Sequence, residues 1–241
     1  MCGIYVIACP KDGRAAPSEY TLSCLQKRGP DHVDTIHVQL PPRICDDVSP
    51  RLSMTSTVLA LRGDHLVKQP LVDEATGSVL CWNGEAWKIH DRPVEGNDGE
   101  ALLGLLIEDS RQGRPDHVLE TLRAVRGPFA FVFYDKPSNQ LFFGRDRLGR
   151  RSLLMKPGNS FELCSVADPY GDGWQEVEAD GIYSIHFDQQ LLTPANHPWS
   201  LDTSKVSLQV NEILAVSNTT YPCRSQALAP SILFPHQAVS S

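Results

Sequence analysis

The chain has 241 residues, 41% hydrophobic and 21% charged, which suits one large folded domain, alone or with a tail. No apolar stretch is long enough to span a bilayer, and a net charge of -7 argues against nucleic acid or an anionic membrane as the main partner. The seven cysteines and eight histidines are scattered, with no C-x-x-C pair, so neither a structural zinc site nor a disulfide framework is expected.

The chain opens "MCGIYVIACP". It has no basic flank, long apolar core and small-residue cleavage site of a secretory signal, so a cytoplasmic protein with reduced thiols is expected. Ile4–Ala8 reads as a buried central strand. Cys2 is not needed for that strand, although a free cysteine is often an ordinary small core residue. Aminopeptidase removal of Met1 would leave Cys2 with both a thiol and a free α-amine. An α-amine has an ordinary pKa of about 7.7–8.0, so near neutral pH it can take the thiol proton and later return one.

The remaining elements follow in order. "PSEYTLSCLQKRG" reads as a helix capped by Ser18, with Tyr20, Cys24 and Leu25 as its apolar face and Gly29 as its stop. "STVLALRG" and "SVLCWNG" read as buried strands that end at glycine. "GNDGEALLGLLIEDSRQG" reads as a helix capped by Asn97, with Glu100 placed for a capping box and Leu102, Leu105 and Leu106 on one face. "DHVLETLRAV" reads as a shorter helix. Strand signals then dominate: "FAFVFYD", a turn at "KPSN", "QLFFGRD", "SLLMK", "FELCSV" and "GIYSIHF". From about Trp199 the chain turns polar and proline-interrupted, and residues 200–241 read as a linker or tail.

Several polar residues admit two readings each. Arg28 and Asp31 flank a Gly-Pro turn, as a solvated turn also would. Arg62 is read at a strand end, where it either holds a carboxylate by two parallel hydrogen bonds or sits in water. Asn83 and Gly84, with Glu85 after them, either stabilise an oxyanion or form an Asn-Gly hairpin turn. Asp98 at a helix start, read alone, favours the helix dipole or acts as a cap.

In this order, "MCGI", "RGPD", "LRG" followed by "QPL", "WNGE" and "ND" at a helix start resemble class II glutamine amidotransferase domains. These are the N-terminal-nucleophile glutaminases of glutamine-dependent asparagine synthetases. "GPFAFVFYD" and "FFGRDRLGRRSLL" resemble that family's later strand pair and its Arg-Asp…Gly turn, and "LRG", "WNGE" and "GRRSLL" are most similar to asparagine synthetase domain-containing proteins. The resemblance covers residues 2–199.

It implies an α+β fold, an αββα sandwich of two stacked antiparallel sheets. It also implies that Cys2 attacks the side-chain amide carbon of glutamine. Asn83 and the Gly84 N–H would hold the oxyanion, Arg62 the α-carboxylate and Asp98 the α-ammonium. Glu85 would line the pocket, and Arg28 would brace the site. No cofactor or metal enters this expectation.

In the synthetases the matching arginine runs on into Leu-Ser-Ile, whereas Gly63 and Asp64 follow Arg62 here. Neither the Ser-Gly-Gly-x-Asp-Ser loop of the synthetase domain nor a G-x-x-x-x-G-K-[ST] loop occurs. The expectation is therefore release of ammonia to a synthetase domain or subunit supplied elsewhere, with no asparagine made by this chain alone. The alternative is a catalytically idle domain kept as a binding or regulatory module.

Overall fold

Gly3–Cys9 is buried at every position, yet its residues serve two different layers. Alternation along a strand sends successive side chains to opposite faces. Ile4, Val6 and Ala8 join one apolar cluster, while Tyr5, Ile7 and Cys9 join another.

In the computed structural model the described residues are 1–9, 15–41, 50–63, 65–113, 115–158, 160–169, 171–189 and 192–200. The expected tail lies outside them except for Ser200. In chain order the elements are β1 (Gly3–Cys9), α1 (Glu19–Arg28), β2 (His32–Gln39), β3 (Arg51–Val58), β4 (Leu71–Val72) and β5 (Val79–Gly84). Next come β6 (Lys88–Ile89), β7 (Arg92–Pro93), α2 (Asp98–Arg111), α3 (Pro115–Ala124), β8 (Phe129–Asp135) and β9 (Gln140–Arg145). The last are β10 (Leu154–Lys156), β11 (Phe161–Cys164), β12 (Gln175–Glu176), β13 (Gly181–His186) and β14 (Ala195–Pro198).

Two six-stranded sheets result, in the orders β12-β10-β11-β1-β3-β2 and β14-β13-β9-β8-β5-β4, while β6 and β7 form a separate hairpin. Every pairing within the two large sheets is antiparallel. The cluster holding Ile4 and Val6 also takes Leu52 and Met54 of β3, Val79 and Cys81 of β5, and Val132 of β8, so it fills the space between the sheets. The outer face of the second sheet, including Trp82, Phe131 and Phe133, packs on Leu102, Leu106, Val118 and Leu122 of α2 and α3. Leu25 of α1 covers the outer face of the first sheet. The layers therefore run helix, sheet, sheet, helix, as expected from the resemblance. No helix among the described residues is long and apolar enough to cross a membrane.

Both helix starts follow the sequence reading. Ser18 accepts a hydrogen bond from the Thr21 N–H, and Asn97 accepts one from the Glu100 N–H. The face of α1 differs from expectation: Leu25 and Thr21 are buried, but Tyr20 is 46% exposed. The strand read over residues 56–63 also shifts, because β3 ends at Val58. The chain leaves the ladder there, as the Leu59 N–H turns to Cys2 Sγ and the Ala60 N–H to Asp31 Oδ2.

Gly29, the cap of α1, lies against β3. A Cβ there would stand 2.6 Å from both the Thr57 carbonyl carbon and the Val58 nitrogen. Backbone cannot yield as a side chain does, so Gly29→Ala should cost about 1–3 kcal/mol through overpacking. Urea unfolding, followed by the midpoint at unchanged slope, measures it.

Candidate active site

Cys2 stands one residue ahead of β1. Gly3 is required beside it: a Cβ there would lie 2.6 Å from Thr57 Oγ1 and 2.8 Å from Leu25 Cδ2. Thr57 Oγ1 in turn donates to the Leu25 carbonyl at 2.7 Å, which fastens the end of α1 to β3. The half-buried Cys2 thiol accepts from the Leu59 N–H at 3.5 Å. Arg28 Nε donates to the Cys2 carbonyl at 3.2 Å, and the Met1 amine donates to the Arg28 carbonyl at 3.2 Å.

Burial pushes the Cys2 thiol above its ordinary value, assisted by the nearby Asp98 charge and opposed by the Leu59 N–H, the terminal amine and Arg28. Burial also pulls the Met1 amine below its ordinary value, with Arg28 and Arg151 acting the same way and Cys2 opposing them. An amine so placed is neutral over more of the neutral pH range.

The end of β5 supplies the donors. Leu80 and Trp82 face the helices, while Val79 and Cys81 face the space between the sheets. Period two therefore assigns Asn83 to the inter-sheet side, toward the layer that carries Cys2. Asn83 is 1% exposed, and its Nδ2 has no hydrogen-bond partner among the described residues. Asn83 and Gly84 pair with Ala130 and Phe129 in the β5–β8 ladder, so they do not form a hairpin turn. A Cβ on Gly84 would lie 2.6 Å from the Pro128 carbonyl oxygen, which only glycine avoids.

Asp98 is the first residue of α2 and only 4% exposed. Asn97 is the cap, so Asp98 is free of that duty. Its Oδ2 accepts from Trp82 Nε1 at 2.9 Å and from the Ala86 N–H at 2.7 Å. Arg62 lies in the segment after β3 and not at a strand end, which corrects the sequence reading. Its Nη1 donates to the Ala86 carbonyl at 2.8 Å, and its Nη2 donates to the Val94 carbonyl. Ala86 thus touches both charged side chains, its N–H on one and its C=O on the other.

A cavity of about 430 Å³ is lined by Cys2, Arg62, Asn83, Gly84, Glu85 and Asp98 together. Glu85 is exposed. Arg28 does not line the cavity and holds Cys2 by its carbonyl. A thiol, a free amide donor, a cation and an anion in one cavity suit nucleophilic attack on a zwitterionic ligand.

Sequence reasoning passed over Gln69, Trp82 and Arg151, which also line the cavity. Gln69 Oε1 accepts from the Trp82 N–H at 2.8 Å, a contact with no local spacing to betray it. Among the described residues no group of three or more His, Cys, Asp or Glu side chains could hold a metal ion.

Comparison with known proteins places these features in context. Residues 1–194 match the family described as "Glutamine amidotransferase domain". Asparagine synthetase domain-containing protein 1 from Bos taurus is 37% identical over 75% of this chain and 28% of its own length. The Homo sapiens protein of that name is 33% identical over 70% of this chain and 25% of its own. The chain thus spans less than a third of these relatives. Among solved structures, the glutamine phosphoribosylpyrophosphate amidotransferase of B. subtilis, complexed with ADP and GMP, shares the fold. Its TM-score is 0.58 and identity 19%, over 83% of this chain and 50% of that one.

The thiols differ enough to be told apart by reactivity. Cys81 and Cys164 are fully buried, and burial pushes both up to about 12. Cys2 is raised above 9.0 but lines the cavity. In a chain retaining Met1, alkylation of Cys2 should rise about tenfold per pH unit through pH 8, since the thiolate is the reactive form. Cys81 and Cys164 should stay unlabelled until the protein unfolds. Peptide mass spectrometry across a pH series reads both, and a plateau for Cys2 below pH 8 would contradict the raised thiol.

Proposed function

The chain belongs to the glutamine amidotransferase domain family, and from that premise we propose that it hydrolyses glutamine to glutamate and ammonia through a glutamyl thioester on Cys2. Cleavage of Met1 frees the Cys2 α-amine, which takes the thiol proton directly or through a water. The thiolate then attacks the side-chain amide carbon. The Asn83 Nδ2 and Gly84 N–H groups hold the oxyanion, and the α-ammonium returns the proton to departing ammonia. Water, deprotonated by the same amine, releases glutamate from the thioester.

Arg62 takes the α-carboxylate. Asp98 takes the α-ammonium through Oδ1, the oxygen that makes neither of its two bonds to Trp82 and Ala86. Glu85 lines the rim, and Arg28 fixes Cys2 from behind. The cytoplasm is the compartment this chemistry fits, because the nucleophilic thiol stays reduced there. Ammonia passes to a synthetase domain or subunit that lies outside residues 1–199.

The observation that carries this reading is Asn83 Nδ2. An unsatisfied buried donor costs about 1–3 kcal/mol, and a core with no ligand to bind gains nothing by keeping one. Here it borders the same cavity as Cys2, Arg62 and Asp98.

The test is glutamine turnover by the processed chain. Cys2→Ala and a chain retaining Met1 should both be inactive while folding normally. Arg62→Ala breaks a charge pair on one side, a loss of about 3–5 kcal/mol. That is on the order of a hundredfold or more in kcat/KM. Labelling of Cys2 by a small glutamine-reactive electrophile lacking both α-groups should stay near the parent rate. Arg62→Lys should recover only part of the loss, since a point charge cannot reproduce the fork. If Arg62→Ala leaves the ratio of turnover to labelling unchanged, the arginine does not read the amino acid. A processed parent with no turnover at all supports the idle-module alternative.

A further inference from the structure

The Ala86 backbone, which joins Arg62 to Asp98, is held by a strap from another part of the chain. The Glu85 N–H donates to the Pro128 carbonyl at 2.9 Å, and the Trp87 N–H donates to the Arg126 carbonyl at 2.8 Å. Between these bonds Gly127 takes φ +147°, and a Cβ there would fall 1.9 Å from the Glu85 carbonyl oxygen. Only glycine permits so close an approach at that backbone angle.

The strap is itself clamped. Arg150 Nη2 donates to the Gly127 carbonyl at 2.7 Å, and Arg150 Nε donates to Asp146 Oδ1 at 2.9 Å. The same guanidinium lies 5.6 Å from the centre of the Trp87 ring. Asp146, 2% exposed, accepts at Oδ2 from the Phe129 N–H and the Arg150 N–H, each at 3.1 Å. A surface ion pair is worth little unless its geometry is well fixed. Here Nε of Arg150 serves the buried Asp146 carboxylate while Nη2 serves the strap. Neither residue lines the cavity.

We infer that Asp146 and Arg150 are positioning residues for amino-acid recognition. They clamp residues 126–129, which hold 85–87, so that Ala86 fixes Arg62 and Asp98 at the separation of an α-carboxylate and an α-ammonium. The inference rests on the glutamine reading of the cavity. Its content is that the clamp governs the hold on the α-groups and leaves the Cys2 thiol untouched.

The experiment compares Arg150→Gln, Asp146→Asn and Arg150→Lys with the processed parent in three assays. These are L-glutamate affinity by calorimetry, kcat and KM for glutamine, and the rate of Cys2 alkylation by iodoacetamide. Small displacements of binding groups weigh heavily on orientation, so Arg150→Gln and Asp146→Asn should weaken glutamate binding about tenfold or more. KM should rise in step, kcat should move less, and alkylation should stay within about twofold.

Arg150→Lys keeps the charge but cannot hold both acceptors in the forked geometry, so it should recover part of the affinity. It also keeps the test decisive if the glutamine variant fails to fold. Arg147→Ala, in the same turn with its guanidinium over Trp199, should match the parent. Unchanged glutamate affinity in Arg150→Gln overturns the inference alone. Equal loss of affinity and alkylation overturns it too, by showing general damage. A parent that neither binds glutamate nor turns over glutamine removes the underlying reading, and the inference with it.

Discussion

The cavity depends on one constraint: the first residues of the chain must be held as firmly as the centre of a sheet. Chain ends ordinarily fray. Here β1 is paired on both sides, to β3 from Gly3 onward and to β11 from Tyr5. Beyond the end of β11, Ser165 continues the hold, its N–H donating to the Ile4 carbonyl while its Oγ accepts from the Ile4 N–H. Cys2 therefore leaves a fixed strand instead of a loose terminus, and its thiol lines the cavity beside the Leu59 N–H. Gly3 and Gly29 are the small residues that let α1 and β3 close around it.

From that anchor the site is assembled across the layers. Cys2 directly precedes a strand of the first sheet and Asn83 lies in the second, and alternation along β5 directs Asn83 inward and Trp82 outward. Trp82 then meets α2 and bonds Asp98 through its indole N–H while stacking on Phe129 at 5.2 Å. One strand thus sends a donor to the inter-sheet side and fixes an anion on the helix side. Neither residue can be exchanged with its neighbour without turning both functions around.

Much of this was legible in the sequence, for identifiable reasons. Ser18 and Asn97 announce helix starts because capping is a contact over three residues. β1, β8 and β9 are legible because their strands are apolar on both faces. β3 was misplaced because its buried residues include Ser53, Thr55, Ser56 and Thr57, which look like a surface. β2 was missed because it is an edge strand in which only Val38 is buried, so its apolar alternation is weak. The residues named through the resemblance, Cys2, Arg62, Asn83, Gly84, Glu85 and Asp98, line one cavity, but Arg62 was assigned to the wrong local structure. The Ala86 link was invisible because it is made by backbone, and no side chain records it. Cys45 and Cys223, counted with the scattered thiols, lie outside the described residues.

The way Arg62 and Asp98 are held bears on what the cavity can accept. Two such groups in direct contact would neutralise each other, and a ligand would have to separate them before binding. Instead the guanidinium is satisfied by two backbone carbonyls and the carboxylate by an indole and a backbone N–H. Neutral dipoles fix the direction of each group without placing an opposite charge against it. A neutral amide would meet two such groups it cannot pair, whereas a zwitterionic amino acid would pair both. Ala86 bonds both groups through its backbone, so the placement of the two charged groups depends on a position that carries only a methyl side chain.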